Sequence, residues 1–351
     1  MNDLYLIGNG FDLAHGLKTS YNDFLLWYLN SFLKRFGQKD HYEDDLMKID
    51  RMGVNYRFPE KFDTIPSVLQ FLKENNYKRK AHHDFFDHLI YNYHDYKWVD
   101  IEYEYYKALV ELFRDVEEDR HDHWNYLSRL KPLNDCFDSI RKKLEEYLLT
   151  IKINSEIKNI QIDNILRIDT GNGVTGDEMK LFLYFNYTAT MKFYRNQPFF
   201  PKSEIIYIHG KLESSENPVI FGYGDEIDPH YEKIENLNNN EFLRNIKSFW
   251  YFKTENYQKT IRFIESGDFT VKILGHSCGL SDRILLNTIF EHPNCKAIKV
   301  YYYKKSETEN DYFEKTQEIS RHFRASMKGK MREKIVPFEK SIAIPQNPKE
   351  N

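Results

Sequence analysis

The chain has 351 residues, of which 41 % are hydrophobic and 30 % charged, and its formal net charge is −4 at pH 7. This composition is typical of a globular protein and argues against a nucleic-acid binder that relies on strong positive charge. The aromatic share of 16 %, with 26 Tyr and 26 Phe, predicts large aromatic packing surfaces. A chain of this length holds one large core, or one core with a substantial insertion.

The cysteines and the hydropathy pattern favour a cytoplasmic protein without a membrane partner. Cys136, Cys278 and Cys295 lie far apart and form no C-x-x-C pair, so we expect neither a zinc ribbon nor a disulfide framework, and no metal. No run approaches the roughly 18 apolar residues of a membrane span. The first predicted strand begins too close to Met1 for a signal peptide.

The first strand and the turn after it carry the strongest functional signal. The apolar run 4–7 (LYLI) leads directly into 8–12 (GNGFD), and a third glycine follows at Gly16. We call residues 8–16 the glycine loop. Closely spaced glycines after a strand let backbone amides approach a nucleotide phosphate, and the next helix adds its positive end. The third glycine comes six residues after the second, unlike the common dinucleotide fingerprint, so a plain tight turn is the alternative.

Helical patterns dominate the next part of the chain. Apolar residues recur at helical spacing from Tyr21 to Leu33, and Ser20 with Asp23 fits a capping box that starts this helix. Residues 37–177 are mainly helical in pattern and predict a large insertion, which could lie over the ends of a sheet as a lid.

Strand patterns return in the second half and predict an α/β fold. Four apolar runs lie at 181–185, 205–208, 269–274 and 297–302. Helical stretches at 242–264 and 282–290 separate the later strands, which indicates a Rossmann-type parallel sheet with helices on both faces. The expected organisation is a discontinuous nucleotide-binding core, a helical insertion and a C-terminal tail that frays from Ile342: residues 1–36 with 178–335, residues 37–177, and residues 336–351.

Polar residues and glycines follow the first four predicted strands. In open parallel sheets, ligands bind beyond the carboxyl ends of the strands, so these segments are expected to meet at one site. They are 8–12, 186–188, 209–210 and 275–277, with Asp282 opening the next helix. Structural interpretations remain open, because Asn186, Ser277 and Asp282 can cap helices and His209 can be a core histidine bonded to a carbonyl.

Together these residues suggest a site that cleaves the N-glycosidic bond of NAD. Nicotinamide is already a cationic leaving group, so the reaction needs a held ribose, a placed water and stabilisation of an oxocarbenium-like transition state, but no metal. Asn186 would orient the water or ribose, His209 would accept a proton, and Asp12 would support the developing positive charge. The remaining predicted NAD-binding positions are Gly8, Asn9, Gly10, Phe11, Gly16, Thr188, Gly210, Gly275, His276, Ser277 and Asp282.

Four segments resemble sirtuin-type NAD-binding domains, and they occur in the same order. They are the G-x-G-x(5)-G spacing of the glycine loop, the asparagine motif at 185–188 (FNYT), the H-G pair at 209–210 and the later G-x-S loop at 275–277. The resemblance implies a sirtuin-like Rossmann core that binds NAD. Asp12 stands where sirtuins usually carry serine, and Thr188 where they often carry aspartate. The lack of a cysteine zinc ribbon argues against protein deacylation.

A second resemblance covers most of the chain. The motifs at 8–13, 16–21, 98–102 (WVDIE), 208–210 and 275–277 with Asp282 resemble the bacteriophage abortive-infection AbiH family. It implies a role in bacterial antiphage defence. Within the WVDIE motif, Asp100 and Glu102 either cap a helix that docks through Trp98, or one of them closes the ribose pocket.

Three functions follow from these patterns. The first is an NAD+ glycohydrolase that depletes the nucleotide pool during infection. The second is a non-catalytic module that holds NAD or ADP-ribose and signals to a partner through the insertion. The third is a nucleic-acid effector, for which the sequence offers only the short basic run 328–334. The predicted partner is a nucleotide; a homo-oligomer and a phage-derived trigger remain open.

Overall fold

The computed structural model describes residues 1–37, 39–51, 59–96, 100–117, 125–153, 156, 158–168, 178–195 and 203–347. Contacts divide the chain into an α/β unit and a helical unit. The α/β unit comprises 1–18, 151–227 and 246–351, and the helical unit comprises 19–150 and 228–245. This grouping assigns 19–36 to the helical unit, whereas the sequence predicts a core of 1–36 and 178–335. The predicted division into core, insertion and tail stays a prediction.

The strands and helices of the described residues are numbered in chain order. The strands are β1 (Asn2–Ile7), β2 (His41–Glu43), β3 (Met47–Asp50), β4 (Lys78–Ala81), β5 (Lys180–Tyr184), β6 (Ser203–Tyr207), β7 (Phe269–Leu274), β8 (Cys295–Tyr302) and β9 (Ile342–Ala343). The α-helices are α1 (Asn9–Ala14), α2 (Tyr21–Phe36), α3 (Ile65–Glu74), α4 (Asp84–Tyr96), α5 (Ile101–Glu117), α6 (Asn125–Thr150), α7 (Ile160–Ile168), α8 (Lys192–Arg195), α9 (Pro229–Asn236), α10 (Asn240–Leu243), α11 (Lys247–Trp250), α12 (Asn256–Glu265), α13 (Arg283–Glu291), α14 (Tyr312–Arg321) and α15 (Lys328–Lys334).

The α/β unit is built on a six-stranded sheet in the order β6-β5-β1-β7-β8-β9. Every neighbouring pair in it is parallel. Counted within the sheet alone, the order is 3-2-1-4-5-6, that of a doubly wound sheet. The order reverses between β1 and β7, because the chain runs outward from β1 to β6 on one side and returns to β7 on the other. The predicted parallel α/β sheet is confirmed.

Alternate residues of the strands pack into two separate cores, one on each face of the sheet. Leu4 and Leu6 of β1 join one cluster with the apolar sides of α12, α13 and α14. Tyr5 and Ile7 join the other cluster with α1 and α7. All four side chains are fully buried. Burial on both faces explains why the strands read as continuous apolar runs and were recognisable in the sequence.

The tail from Ile342 is ordered where the sequence predicts fraying, so that expectation is wrong for residues 342–347. Ile342 pairs with Tyr301, and the amide of Ile344 donates to the carbonyl of Tyr302 at 2.8 Å. Ile344 is buried among the residues of one of the two cores. The free edge of β8 supplies the hydrogen bonds that hold this short apolar segment in place.

The helical unit contains the predicted α2 and its capping box. The Ser20 side chain accepts from the Asp23 amide, and the Asp23 carboxylate accepts from the Ser20 amide. The unit also contains an antiparallel sheet, β2-β3-β4, where the sequence offers few strand signals. These strands are three or four residues long. β2 (HYE) and β4 (KRKA) lack the apolar alternation that marks a half-buried strand, and β3 (MKID) alternates over only four residues.

The predicted helical stretch 242–264 is interrupted. It forms α10, α11 and α12, with non-helical or 3₁₀ residues between them. Within the described ranges, no helix has the length and apolar character needed to cross a membrane.

The ends of β1 and β7 pack backbone against backbone. The Gly10 amide donates to the Gly275 carbonyl at 2.8 Å. Gly275 has φ of +77°, and a Cβ there would lie 2.2 Å from the Phe11 nitrogen. A Cβ on Gly8 would lie 2.4 Å from Cα of His276. Side chains at these positions would therefore push the two strand ends apart.

We expect Gly275→Ala to lower the free energy of unfolding by about 3 kcal/mol or more, because it combines a left-handed φ with a backbone collision. Gly329→Ala is the matched control. Gly329 lies exposed in α15 with open space around it, so alanine there should be neutral or stabilise by about 0.5–1 kcal/mol. Denaturant unfolding followed by circular dichroism measures both. Equal stability of Gly275→Ala and the unmutated protein would contradict the packing argument.

Candidate functional site

Buried polar side chains gather at the carboxyl ends of β1, β5, β6 and β7 in the α/β unit. Charged groups are seldom buried without partners, so we identify the contacts of each buried polar side chain. The buried members of the predicted site are Asp12, Asn186, Thr188, His209, His276 and Asp282, and Lys247 is a further buried residue that the sequence did not single out.

Asp282 lies at the centre of a buried polar layer, which we define as His209, Lys247, His276 and Asp282. Its Oδ1 is 2.9 Å from Nζ of Lys247 and 3.0 Å from Nε2 of His209. Its Oδ2 is 3.6 Å from Nε2 of His276. The His209 nitrogen is close to the carboxylate without being aligned for a hydrogen bond, so their contact is mainly electrostatic.

The charges of the layer follow from burial and from Lys247. Burial alone would raise the pKa of Asp282, but the charge of Lys247 and the contact with His209 outweigh it and hold this pKa well below its usual range. Burial, reinforced by the charge of Lys247, lowers the pKa of His209 to about 4 despite the nearby carboxylate. At neutral pH the layer therefore contains an ammonium, a carboxylate and a neutral His209 imidazole.

Two histidines hold the backbone of Cys278 after β7. Nδ1 of His276 accepts from the Cys278 amide at 3.0 Å, which leaves the ring proton on Nε2, toward Asp282. Nε2 of His322 contacts the Cys278 carbonyl at 2.8 Å. Cys278 is fully buried and has φ of +58°, a conformation that a residue with a Cβ adopts only when its surroundings enforce it. The pKa values of both histidines are lowered, chiefly by burial.

Asn186 and Phe185 connect the end of β5 to its neighbours. Nδ2 of Asn186 donates to the Gly8 carbonyl at 3.0 Å, so the side chain joins β5 to β1 instead of capping a helix. The Phe185 ring packs edge-on against His276 and His209, with centroids 4.1 and 5.1 Å apart. The end of β5 thus touches three of the four predicted strand-end segments.

Asp12 contacts hydroxyl groups of the same β5 end. Its Oδ2 accepts from Thr188 at 2.6 Å, and its Oδ1 accepts from Tyr184 at 3.4 Å. The carboxyl group is fully buried. Burial raises the pKa of Asp12 to about 6, although hydrogen bonds from Thr188 and its neighbours work in the opposite direction. Asp12 therefore changes charge close to neutrality.

His209 is placed by a sharp turn after β6. Gly210 has φ of +86°, and a Cβ there would lie 2.0 Å from the carbonyl oxygen of Pro218. The His209 carbonyl accepts from the Ile220 amide at 2.8 Å. The turn fixes the backbone, and the side chain is directed to Asp282 rather than to a backbone carbonyl.

The segment 223–225 is a part of the site that the sequence analysis missed. The carbonyl of Tyr223 accepts from the Lys247 amide at 2.9 Å, and Asp225 pairs with Arg283 at 2.9 Å. Asp282 is the N-cap residue of α13, yet its side chain makes no capping bond, because its carboxylate faces the polar layer. The sequence feature that could have revealed this segment is F-G-Y-G-D at residues 221–225, whose two closely spaced glycines resemble those of the glycine loop.

Two backbone amides of the glycine loop already donate to carbonyls of the protein. The amides of Gly10 and Phe11 donate to the carbonyls of Gly275 and Gly8, and α1 is only six residues long. Its predicted role in holding a phosphate stays a prediction. Of the predicted site residues, Asn9 and Ser277 are exposed.

Two other predicted features have structural roles. Trp98 lies outside the described residues, while Asp100 caps α5 by accepting from the amides of Glu102 and Tyr103, both at 3.1 Å. In the basic run, Lys334 is buried and its Nζ donates to the Phe290 carbonyl at 2.8 Å. Among the described residues, no group of His, Cys, Asp and Glu is arranged to hold a metal ion.

These features define an α/β protein with a doubly wound parallel sheet and a buried polar layer at its strand ends. A family model described as bacteriophage abortive infection AbiH matches residues 4–304. The chain belongs to the AbiH family, which confirms the resemblance found in its motifs and associates it with abortive infection. The matched range includes all four strand ends and the whole polar layer. No match was found among curated proteins.

Asp12 should make stability depend on pH. Its pKa is about 6 in the folded protein, against 3.8 for an unperturbed aspartate. Asp12 therefore binds more protons in the folded state between about pH 4 and 6, and its contribution to the free energy of unfolding falls by about 3 kcal/mol as pH rises through that window. The buried histidines, whose pKa values are lowered, contribute with the opposite sign. Asp12→Asn keeps the shape and removes only the Asp12 contribution, so its stability relative to the unmutated protein should rise between pH 4 and 6, which urea unfolding at pH 4–7.5 measures.

The control is Asp268→Asn, at an exposed carboxylate paired with Lys296. It should leave the slope unchanged, because exposed pairs contribute little. A difference in stability between Asp12→Asn and the unmutated protein that does not change with pH would contradict the raised pKa of Asp12.

Proposed function

We propose that this AbiH-family protein is an NAD+ glycohydrolase of antiphage defence, with a sirtuin-like NAD site at the carboxyl ends of β1, β5, β6 and β7. The observation that carries the proposal is that the His209–Asp282 pair and Asn186, which is bonded to Gly8, lie at the strand ends beside the point where the strand order reverses, the position at which doubly wound sheets bind ligands. Asn186 and His209 also carry part of the resemblance to sirtuin-type domains.

The proposed reaction transfers the ADP-ribosyl group to water. The bond between the ribose C1′ and the nicotinamide nitrogen breaks, and its electron pair neutralises the pyridinium. Water attacks C1′ and loses a proton, so that NAD+ and water give nicotinamide, ADP-ribose and one proton. The protein's task is to hold the ribose, place the water and accept the proton.

His209 is suited to accept that proton because it is neutral at physiological pH. Its lowered pKa makes it a weak base in the resting state. The ionised Asp282 at 3.0 Å stabilises the imidazolium that forms during the reaction. His209 and Asp282 thus form a pair of base and carboxylate whose electrostatic contact is already present.

Asn186 and Asp12 would act on the ribose side. The bond from Nδ2 of Asn186 to Gly8 fixes the amide, so that its Oδ1 is the group to which water or a ribose hydroxyl would donate. Asp12, with a pKa of about 6, is largely ionised at pH 7. Its negative charge would favour positive charge developing on the ribose.

One observation favours the second candidate, a nucleotide-sensing module without turnover. Asn186 and His209 are only 7 % and 5 % exposed, so the described conformation keeps them away from solvent. A hydrolase of this design needs a change of conformation, on binding of NAD or of a trigger, before substrate reaches His209. A sensing module would bind at the rim of Asn9 and Ser277 without that step.

We expect the purified protein to release nicotinamide from NAD+, assayed by chromatography with and without extract of phage-infected cells. His209→Ala and Asn186→Ala should each lower the release rate by at least ~100-fold, the scale of a lost general base or positioning group. Melting temperatures in the presence of NAD+ and ADP-ribose report binding in the same samples. The control is His41→Ala, at an exposed histidine in the helical unit, which should keep normal activity.

Wild-type rates in both site variants would remove the proposed mechanism. Ligand-induced melting shifts without nicotinamide release would favour the sensing module. If the protein neither binds nor cleaves NAD, both candidates are wrong, and salt-sensitive cleavage of RNA or DNA becomes the assay to perform.

A further inference from the structure

Lys247 is a buried charge that the proposed reaction does not use directly. Its side chain is 0 % exposed, and its Nζ lies 2.9 Å from Oδ1 of Asp282. Removing an ammonium group from water costs several kcal/mol, and an apolar side chain of similar length would fill the same space without that cost. A charge kept here at such cost, in contact with the carboxylate that faces His209, indicates a role in the site.

The surrounding backbone holds Lys247 in one position. Its amide donates to the Tyr223 carbonyl, and the Gly224 carbonyl accepts from the Ile284 amide at 3.1 Å. A Cβ on Gly224 would lie 3.4 Å from Cβ of Lys247 and 3.0 Å from the carbonyl oxygen of Ser281. Residues 223–224 therefore lie between Lys247 and the start of α13, and they fix the lysine against Asp282.

Lys247 and His209 meet the same carboxylate oxygen. The titratable and charged groups that act on His209 are Lys247, Asp282 and His276. With a neutral imidazole, the ammonium and the carboxylate balance each other. A proton on His209 would leave an excess positive charge in a space closed to water, which is unfavourable at low dielectric. If Lys247 were neutral, the charge of Asp282 would instead favour a proton on His209.

We propose that Lys247 is a positioning residue that fixes the Asp282 carboxylate and keeps His209 in its proton-accepting form. The contact between Lys247 and Asp282 does not depend on the reaction. The catalytic role given to it rests on the proposed NAD+ glycohydrolase activity. In that reaction Asp282 stabilises the imidazolium once it forms, and Lys247 favours its return to the neutral base after the proton leaves. This division of roles explains why a lysine and a carboxylate lie together beside His209.

The test is the titration of His209, followed by NMR of protein labelled with ¹⁵N-histidine, with its signals assigned by their loss in His209→Gln. In the unmutated protein we expect a midpoint below the ordinary histidine value of about 6.5. Lys247→Met, which keeps the length of the side chain and removes its charge, should raise the midpoint by more than about one pH unit. Lys247→Arg should keep it low. Lys330→Met, at an exposed lysine, is the control and should change nothing.

An unchanged midpoint in Lys247→Met overturns the proposal, and so does a midpoint at or above 6.5 in the unmutated protein. If Lys247→Met does not fold, Lys247→Gln, which also removes the charge but keeps a hydrogen-bond donor for Asp282, gives the same comparison. Nicotinamide release gives a further readout, since the acid limb of its pH profile should move to higher pH in Lys247→Met. Absence of release from every variant contradicts the proposed function alone, and the NMR titration then still decides the role of Lys247.

Discussion

The carboxylate of Asp282 is the charge on which the arrangement of the strand ends depends. A buried carboxylate needs partners, and Asp282 obtains them from Lys247, His209 and His276, which come from different parts of the sequence. Each partner is in turn fixed by a backbone bond: the Lys247 amide to Tyr223, the His209 carbonyl to Ile220 and the His276 ring to Cys278. Burial of the Asp282 charge is unfavourable, and the contacts with its three partners offset that cost and order the polar layer.

Close packing of backbone complements this electrostatic constraint. Gly8 and Gly10 lie against Gly275, with no room for a Cβ at any of the three. The ends of β1 and β7 can then approach each other at the point where the strand order reverses. The glycines that the sequence associates with a phosphate thus have a second physical reason to be glycine, which holds whether or not a nucleotide binds.

The sequence predicts the sheet well because each central strand is buried on both faces and reads as an apolar run. Asn186, His209 and Asp282 were found by their position after those runs, a consequence of the parallel topology. Lys247 was not found in the sequence, because a lysine in a polar-aromatic stretch is typical of a surface. Only the fold brings it to Asp282. The short strands β2–β4 and β9 were missed since two to four residues carry too little periodicity, and charged side chains obscure what remains.

The spacing of the polar layer along the chain has a consequence for protein synthesis. His209 emerges from the ribosome before Lys247, and Asp282 follows Lys247. Since β7 inserts beside β1, that edge of β1 is filled only after the intervening residues have been made. A truncated translation product that stops before residue 282 has no carboxylate for His209 and Lys247 to share. The complete layer is thus restricted to chains that have been translated beyond residue 282.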